Sequence, residues 1–174
     1  MYKFRRIAII GCGGAGKSTL ARKLGEILKL PVYHLDSLFW KAGWVPMPVE
    51  EWKLIQEELT SKDEWIIDGN YRGTMDIRLS KADTIIFLDY PTYICLFRVI
   101  KRLIKYYGKT RPDMAEGCNE TLDLEFIKWI LNFRRNKRPD IINKINTYKD
   151  RKNIYIIKSP KELEVFIEQI QKYL

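Results

Sequence analysis

The stretch that decides the fold is "GCGGAGKST", Gly11 to Thr19, set directly behind the apolar run "IAII", Ile7 to Ile10. Gly11, Gly16, Lys17 and Ser18 occupy the fixed places of G-x-x-x-x-G-K-[ST]. Phosphate binding needs that spacing. Glycines let the backbone curl until successive N–H groups point at one phosphate, and the helix that follows adds the positive end of its dipole. The Lys17 ammonium can reach the β- and γ-phosphates as a point charge, and the Ser18 hydroxyl can ligate Mg2+. The expected nucleotide-binding segment is therefore continuous: Gly11, Cys12, Gly13, Gly14, Ala15, Gly16, Lys17, Ser18 and Thr19, with ATP and Mg2+ as its ligands.

Outward from this loop, strand-like and helix-like runs alternate. "RIAIIG" precedes "KSTLARKLGEILKL", where Leu20, Leu24, Ile27 and Leu28 recur at helical spacing. Next come "VYHLD", the helical "EEWKLIQEEL" and "EWIIDG". "TIIFLDY" then leads into "PTYICLFRVIKRLIKYYG", and "NIYIIK" into "SPKELEVFIEQIQKYL". Short strands of near-continuous hydrophobicity between amphipathic helices predict an α/β three-layer sandwich. Its five strands should be parallel, joined by right-handed crossovers. Pro91 should open a helix where its missing N–H costs least, and Ser159 with Glu162 should form a capping box. Two stretches break the alternation. "FWKAGWVPMPVE" lies in an expected substrate-side insertion at 37–62, and "GKTRPDMAEGCNETLD" in an expected lid at 106–124. Both read as decorations on one domain spanning 1–174.

The chain of 174 residues is long enough to bury a core without disulfides, and 46% apolar with 30% charged residues is ordinary for a globular protein. No apolar stretch approaches the roughly 18 residues that span a bilayer, so no membrane partner is expected. "MYKFRRIAII" places basic residues before an apolar run. That run is too short for a signal peptide and meets the glycine loop at once, so a first strand is expected. Cys12, Cys95 and Cys118 are odd in number and widely spaced, which suggests free thiols and a cytoplasmic protein. Cys12 reads as small filler in the loop, with oxidation sensitivity as the alternative. The net charge of +9 is concentrated: Arg98 to Lys152 holds 15 Lys and Arg against 7 Asp and Glu. An anionic partner is expected there.

The destination of the phosphate is the next question. Motor ATPases with this loop usually end a strand in Asp-Glu, the Glu orienting water. Here the strands end "WIIDG" and "IFLDY", so neither Asp68 nor Asp89 is followed by an acid, and a hydrolytic motor is disfavoured. The glycine after Asp68 should clear space for a second ligand near the backbone.

The order "GCGGAGKST", "HLD", "IIDGNYR", "IIFLDYP" and Arg98-x-x-x-Arg102 resembles the adenylate-kinase-related small kinases over nearly the whole chain. "HLDSLFWKAGW", "IIDGNYRGTMDIRL", "KTRPDMAEGCNE" and "LDLEFIKWI" more closely resemble the DNA topology modulation proteins, a branch of that group. The resemblance implies a nucleoside monophosphate kinase-like P-loop fold and Mg-ATP-dependent transfer of the γ-phosphoryl group to a small acceptor. It implies that Asp68 steadies Mg2+ through water. It also implies that Asp36, ending the second strand, orients or deprotonates the acceptor hydroxyl. Arg72, with its neighbour Tyr71, would bind the acceptor, and Arg98 and Arg102 would clamp phosphate where the lid opens. "GNYR" in place of "GFPR", and a lid lacking zinc-binding cysteines, count against adenylate as the acceptor.

Independently of any family, Arg98, Lys101, Arg102, Lys105 and Lys109 share one helical face, with Leu96, Val99, Ile100, Leu103 and Tyr107 elsewhere. "RRNKR" at 134–138 adds a second basic cluster. Arg98 and Arg102 suit phosphate clamping, the lysines a solvated face. The alternative reading is a nucleotide-gated regulator that binds DNA through the basic 98–152 region, and a hydrolase without an acceptor is third. His34 reads as a core residue, with a catalytic base as the alternative. Phe39, Trp40 and Trp44 either stack on a substrate or pack a flap. Asp89 reads as a cap for the Pro91 helix or a second metal-site acid. Arg78 is expected to pair with Asp76 or Asp83, or to reach the acceptor.

Overall fold

A computed structural model describes residues 4–172. Met1, Tyr2 and Lys3 of the basic start, and Tyr173 and Leu174 of the expected last helix, lie outside them. From the first strand, β1 (Arg6–Gly11), the glycine loop feeds α1 (Lys17–Leu28). After β2 (Val32–His34) come the short α2 (Leu35–Phe39), a hairpin of β3 (Trp40–Lys41) and β4 (Val45–Pro46), and α3 (Val49–Ser61). β5 (Trp65–Asp68) and α4 (Met75–Lys81) are followed by β6 (Thr84–Leu88) and α5 (Thr92–Tyr106). The chain ends through α6 (Leu124–Asn136), α7 (Arg138–Asn146), β7 (Asn153–Ile157) and α8 (Pro160–Lys172).

The main sheet has five parallel strands in the order β2-β5-β1-β6-β7. β1 lies at its centre, and Ile7, Ala8, Ile9 and Ile10 are all fully buried, as is every residue of β6. A strand covered on both faces has no solvent side on which to place polar residues, which is why these runs do not alternate. Each fully buried Ile contributes about 1.5–3 kcal/mol of hydrophobic stabilisation. Register then positions the chemistry. His34 and Ile9 are both opposite Asp68, and Gly11 is opposite Leu88, so the loop and the end of β5 emerge side by side.

The five expected strands form the sheet, and several local readings need correction. The second strand stops at His34, and Asp36 sits in the first turn of α2. Leu35 drives this bend: it is fully buried, and its side chain packs where a Cβ on Gly69 would stand, 2.8 Å from Leu35 Cβ. Gly69 therefore admits Leu35, and the space it clears is not open to a ligand. α5 ends at Tyr106, which places Lys109 beyond the basic face. Cys95 and Val99 of α5 face the core, while Tyr93, Phe97, Ile100 and Ile104 are exposed. Pro91 precedes α5 with no side-chain cap, so Asp89 is not a cap. At α8 the Glu162 N–H donates to Ser159 Oγ at 3.2 Å, and the Glu162 carboxylate accepts from the Lys158 N–H at 2.8 Å. This closes the predicted box one residue early.

Candidate phosphate-binding site

The loop curls through left-handed glycines. Gly14 has φ +78° and Gly16 φ +94°, conformations that cost a side-chain-bearing residue strain. A Cβ at Gly14 would also run into the Cys95 carbonyl oxygen, because α5 packs against the back of the loop. Lys17 Nζ folds over the loop and donates to the carbonyls of Gly11 at 3.1 Å and Cys12 at 3.0 Å. Cys12 is buried, and its hydrogen bond with Cys95, added to by burial, pushes its thiol well up. A buried thiol held in its neutral form suits a filler more than a nucleophile.

Ser18, in the first turn of α1, donates to Asp68 Oδ1 at 3.0 Å. The other Asp68 oxygen meets the His34 ring through Nδ1. Burial pulls the His34 pKa down, but the hydrogen bond and charge of Asp68 outweigh it, so it ends above its ordinary value. His34 is thus a partner of the site carboxylate rather than a core residue. Asn70, two residues beyond Asp68, was not singled out from sequence. Its amide brackets Gly11, accepting from the N–H at 3.1 Å and donating to the carbonyl at 2.7 Å. An Asn directly after Asp-Gly was the only local signal.

Arg98 donates from Nη1 to the Ala15 carbonyl at 3.0 Å, which brings it to the loop. Arg102 points instead to the segment 107–123, where Glu120 ion-pairs with Arg102 at 3.2 Å and with Arg111 at 2.6 Å. Glu120 is only 4% exposed. Burial, then the nearby Arg111 charge, lowers the Arg102 pKa. The same segment touches the β3–β4 hairpin. Gly43 N–H donates to Gly117 O at 3.1 Å, Trp44 Nε1 to Asn119 O at 3.0 Å, and Cys118 Sγ to Lys41 O at 3.2 Å. Across the mouth, Asp36 Oδ1 accepts from Tyr71 Oη at 2.8 Å. Burial first, and the Asp36 charge second, push the Tyr71 phenol far up, so it remains a neutral donor. Phe39 and Trp52 pack on the Tyr71 ring, with centroids 4.7 Å and 5.0 Å away, and Trp44 packs on Trp40 at 5.6 Å.

The structure therefore gathers Lys17, Ser18, Asp68 and Arg98 at the loop, and Asp36 with Tyr71 beside it. It separates the remaining candidates. Arg78 is 0% exposed and donates to the carbonyls of Gly69 at 3.1 Å and Asn70 at 2.9 Å and to Gln56. Among the described residues it pairs with neither Asp76 nor Asp83, and its guanidinium instead holds the backbone just beyond β5. Burial lowers its pKa to about 10. Arg72 pairs with Asp140 of α7. Asp89 is gripped by Arg138 at 2.7–2.9 Å and by Arg134 at 3.1 Å, so part of the "RRNKR" cluster serves an internal acid. Such pairings lie 45–49 residues apart and leave no local sequence signal.

Among the described residues no cluster of three or more His, Cys, Asp or Glu suits a metal ion, and no helix is long and apolar enough to cross a membrane. The Ser18 hydroxyl and Asp68 carboxylate do fit Mg2+, which takes one or two protein oxygens and fills its shell with phosphate and water.

The fold matches solved kinases. A shikimate kinase from Acinetobacter baumannii in complex with shikimate aligns with a TM-score of 0.58 and 18% identity, covering 99% of this chain and 93% of that one. A gluconokinase from Sinorhizobium meliloti 1021 aligns at 0.54 and 14%, covering 97% and 90%. Sheet order and glycine loop together give the P-loop kinase-like fold that these structures share. No family model matches the chain. The uncharacterized protein YqaC of Bacillus subtilis (strain 168) is 32% identical over 132 residues, which covers 72% of this chain and 70% of that protein. The chain belongs to the YqaC family.

Proposed function

We propose that this protein is a Mg-ATP-dependent kinase that transfers the γ-phosphoryl group to a small acceptor bearing a hydroxyl or phosphate. One observation carries the reading: the Ser18–Asp68 hydrogen bond at the mouth of a glycine loop whose lysine has no acidic partner among the described residues. That lysine is free to exchange two backbone carbonyls for phosphate oxygens. Bound Mg2+ would neutralise charge on the phosphates. Lys17 and the loop amides would hold the polyphosphate, while Ser18 and Asp68 would hold the cation and its water. Arg98, already at the loop, would leave the Ala15 carbonyl for a phosphate oxygen. Arg102 would do the same on release from Glu120. Asp36 would orient the acceptor with Tyr71 as its neutral donor partner, and the hairpin and the 107–123 segment would form the two covers of the site.

Likeness to shikimate and gluconate kinases supports a hydroxyl acceptor, and the motif resemblance supports placement near the DNA topology modulation branch. The DNA-regulator alternative has no specific observation in its favour, because Arg102, Arg111, Arg134 and Arg138 all engage internal carboxylates. The test is acceptor-dependent ADP release across nucleosides, nucleotides, sugars and shikimate-like alcohols. Turnover should vanish in Lys17→Ala, and Asp36→Ala should keep ATP binding while losing transfer. ATP giving no heat in calorimetry with Mg2+ would end the proposal.

A further inference from the structure

A half-open cavity of about 230 Å3 lies between the turn that follows β5 and the helices α6 and α7. Its walls are Met75, Trp129, Phe133 and Ile141, and its polar edge carries Asn70, Tyr71, Arg72, Lys137, Asp140 and Lys144. None of Lys17, Ser18, Asp36 or Asp68 lines it. Tyr71 is the partition: its hydroxyl is turned to Asp36 and its ring packs on Phe39 and Trp52. The cavity therefore borders the proposed acceptor position through Tyr71 and the phosphate loop through Asn70, while the side chains proposed to hold phosphate and acceptor stay outside it.

Its chemistry is selective. The rim holds three cations against one carboxylate, and that carboxylate, Asp140, is already taken by Arg72. Lys144 is paired with Asp76 outside the cavity. The Lys137 side chain has no hydrogen-bond or ion-pair partner among the described residues. An ammonium at the edge of an apolar chamber favours an anion. The chamber itself favours a ring, because Trp129 and Phe133 meet edge to face, with centroids 5.2 Å apart. The volume falls below the roughly 300–1,000 Å3 of pockets for drug-sized ligands, which limits the occupant to one ring with a small substituent.

We propose that this cavity is a binding site for a small aromatic carboxylate, with the ring between Met75, Trp129, Phe133 and Ile141 and the carboxylate on Lys137. The site does not depend on the kinase reading, and its test uses neither ATP nor turnover. Ligand-observed NMR titration of the full chain with benzoate, benzamide and acetate isolates the contributions of ring and charge. Benzoate should bind with a millimolar or tighter Kd, the range open to a one-ring ligand. Benzamide and acetate should each bind at least about fivefold more weakly, which corresponds to losing one charge-assisted contact or the apolar contact area. In Lys137→Gln, a surface change that leaves the walls intact, benzoate and benzamide should bind alike. Ile141→Trp should fill the chamber and weaken both by about tenfold or more. A thermal melt with one cooperative transition verifies that each variant is folded. Lys17→Ala should bind benzoate as the wild type does.

The proposal is overturned if benzoate shows no binding up to about 30 mM, well above the millimolar expectation. Equal binding of benzoate and benzamide by the wild type overturns it, as does discrimination that persists in Lys137→Gln. Loss of binding in Lys17→Ala would move the anion to the phosphate loop and likewise end the proposal.

Discussion

Asn70→Ala removes a clamp whose cost can be worked out from its geometry. The amide accepts from the Gly11 N–H at 3.1 Å and donates to the Gly11 carbonyl at 2.7 Å. The carbonyl keeps a second donor, Lys17 Nζ at 3.1 Å, so losing one of its two bonds costs little beyond a net hydrogen bond of about 0.5–1.5 kcal/mol. The N–H has no such reserve. Left unsatisfied at the partly buried end of β1, it costs about 1–3 kcal/mol. Together the loss should be about 2–3 kcal/mol. With a urea m-value of about 2 kcal/mol/M, the midpoint should fall by about 1 M with the slope unchanged. ATP affinity should fall with it, because Gly11 begins the ring of amides. A urea midpoint within about 0.2 M of the wild type, beyond which the linear relation resolves a real change, would refute the clamp.

Three further expectations are independent of that one. Gly14→Ala combines left-handed strain of about 1–2 kcal/mol with a collision against the Cys95 carbonyl. It should lower the melting temperature by several degrees and abolish ATP heat in calorimetry, and a variant that binds ATP normally would show that the loop does not cradle phosphate. His34 should give a pH signature. Its folded pKa lies above the ordinary 6.5, so its stabilising contact is fully present below that value and is lost as pH rises through the folded pKa. The urea midpoint gap between wild type and His34→Gln should therefore be larger at pH 6 than at pH 8.5, and an equal gap would disprove the linkage. Glu120→Gln leaves Arg102 without its carboxylate and Arg111 with Asp113 alone at 3.1 Å, at a cost of up to about 3 kcal/mol, the low end for breaking a buried pair. Limited proteolysis should then cut within 107–123 faster than in the wild type, and unchanged cleavage would mean that the ion pairs do not hold the segment.

The parts of the fold legible in the sequence were those built from continuous local pattern. Ile7 to Ile10 could only be a strand buried on both faces, and the glycine loop behind it fixed the start of α1. "VYHLD" looked extended through Asp36 because nothing local reveals that Leu35 must turn inward over Gly69. α6 and α7 carry a weak helical signal because Phe126, Trp129 and Phe133 are spaced between charges, and their partners include the loop and the cavity. The hairpin turns through Gly43 and Trp44, both with positive φ, and an aromatic there gives no turn signal. In the site, Lys17, Ser18 and Asp68 were readable from spacing. The roles of Arg78, Arg138 and Glu120 were not, because each depends on a partner brought near only by the fold.

The stitching of the 107–123 segment to the hairpin at Gly43, Trp44 and Lys41 means that the two sides of the mouth are not independent doors. Lifting either one would break contacts made by the other, so in the proposed kinase exchange on the donor side and exchange on the acceptor side would become a single event. On the proposed kinase reading, molecules held beneath this joint roof would enter and leave as a set, and a stray water would have no separate gate to a phosphoryl group in transit.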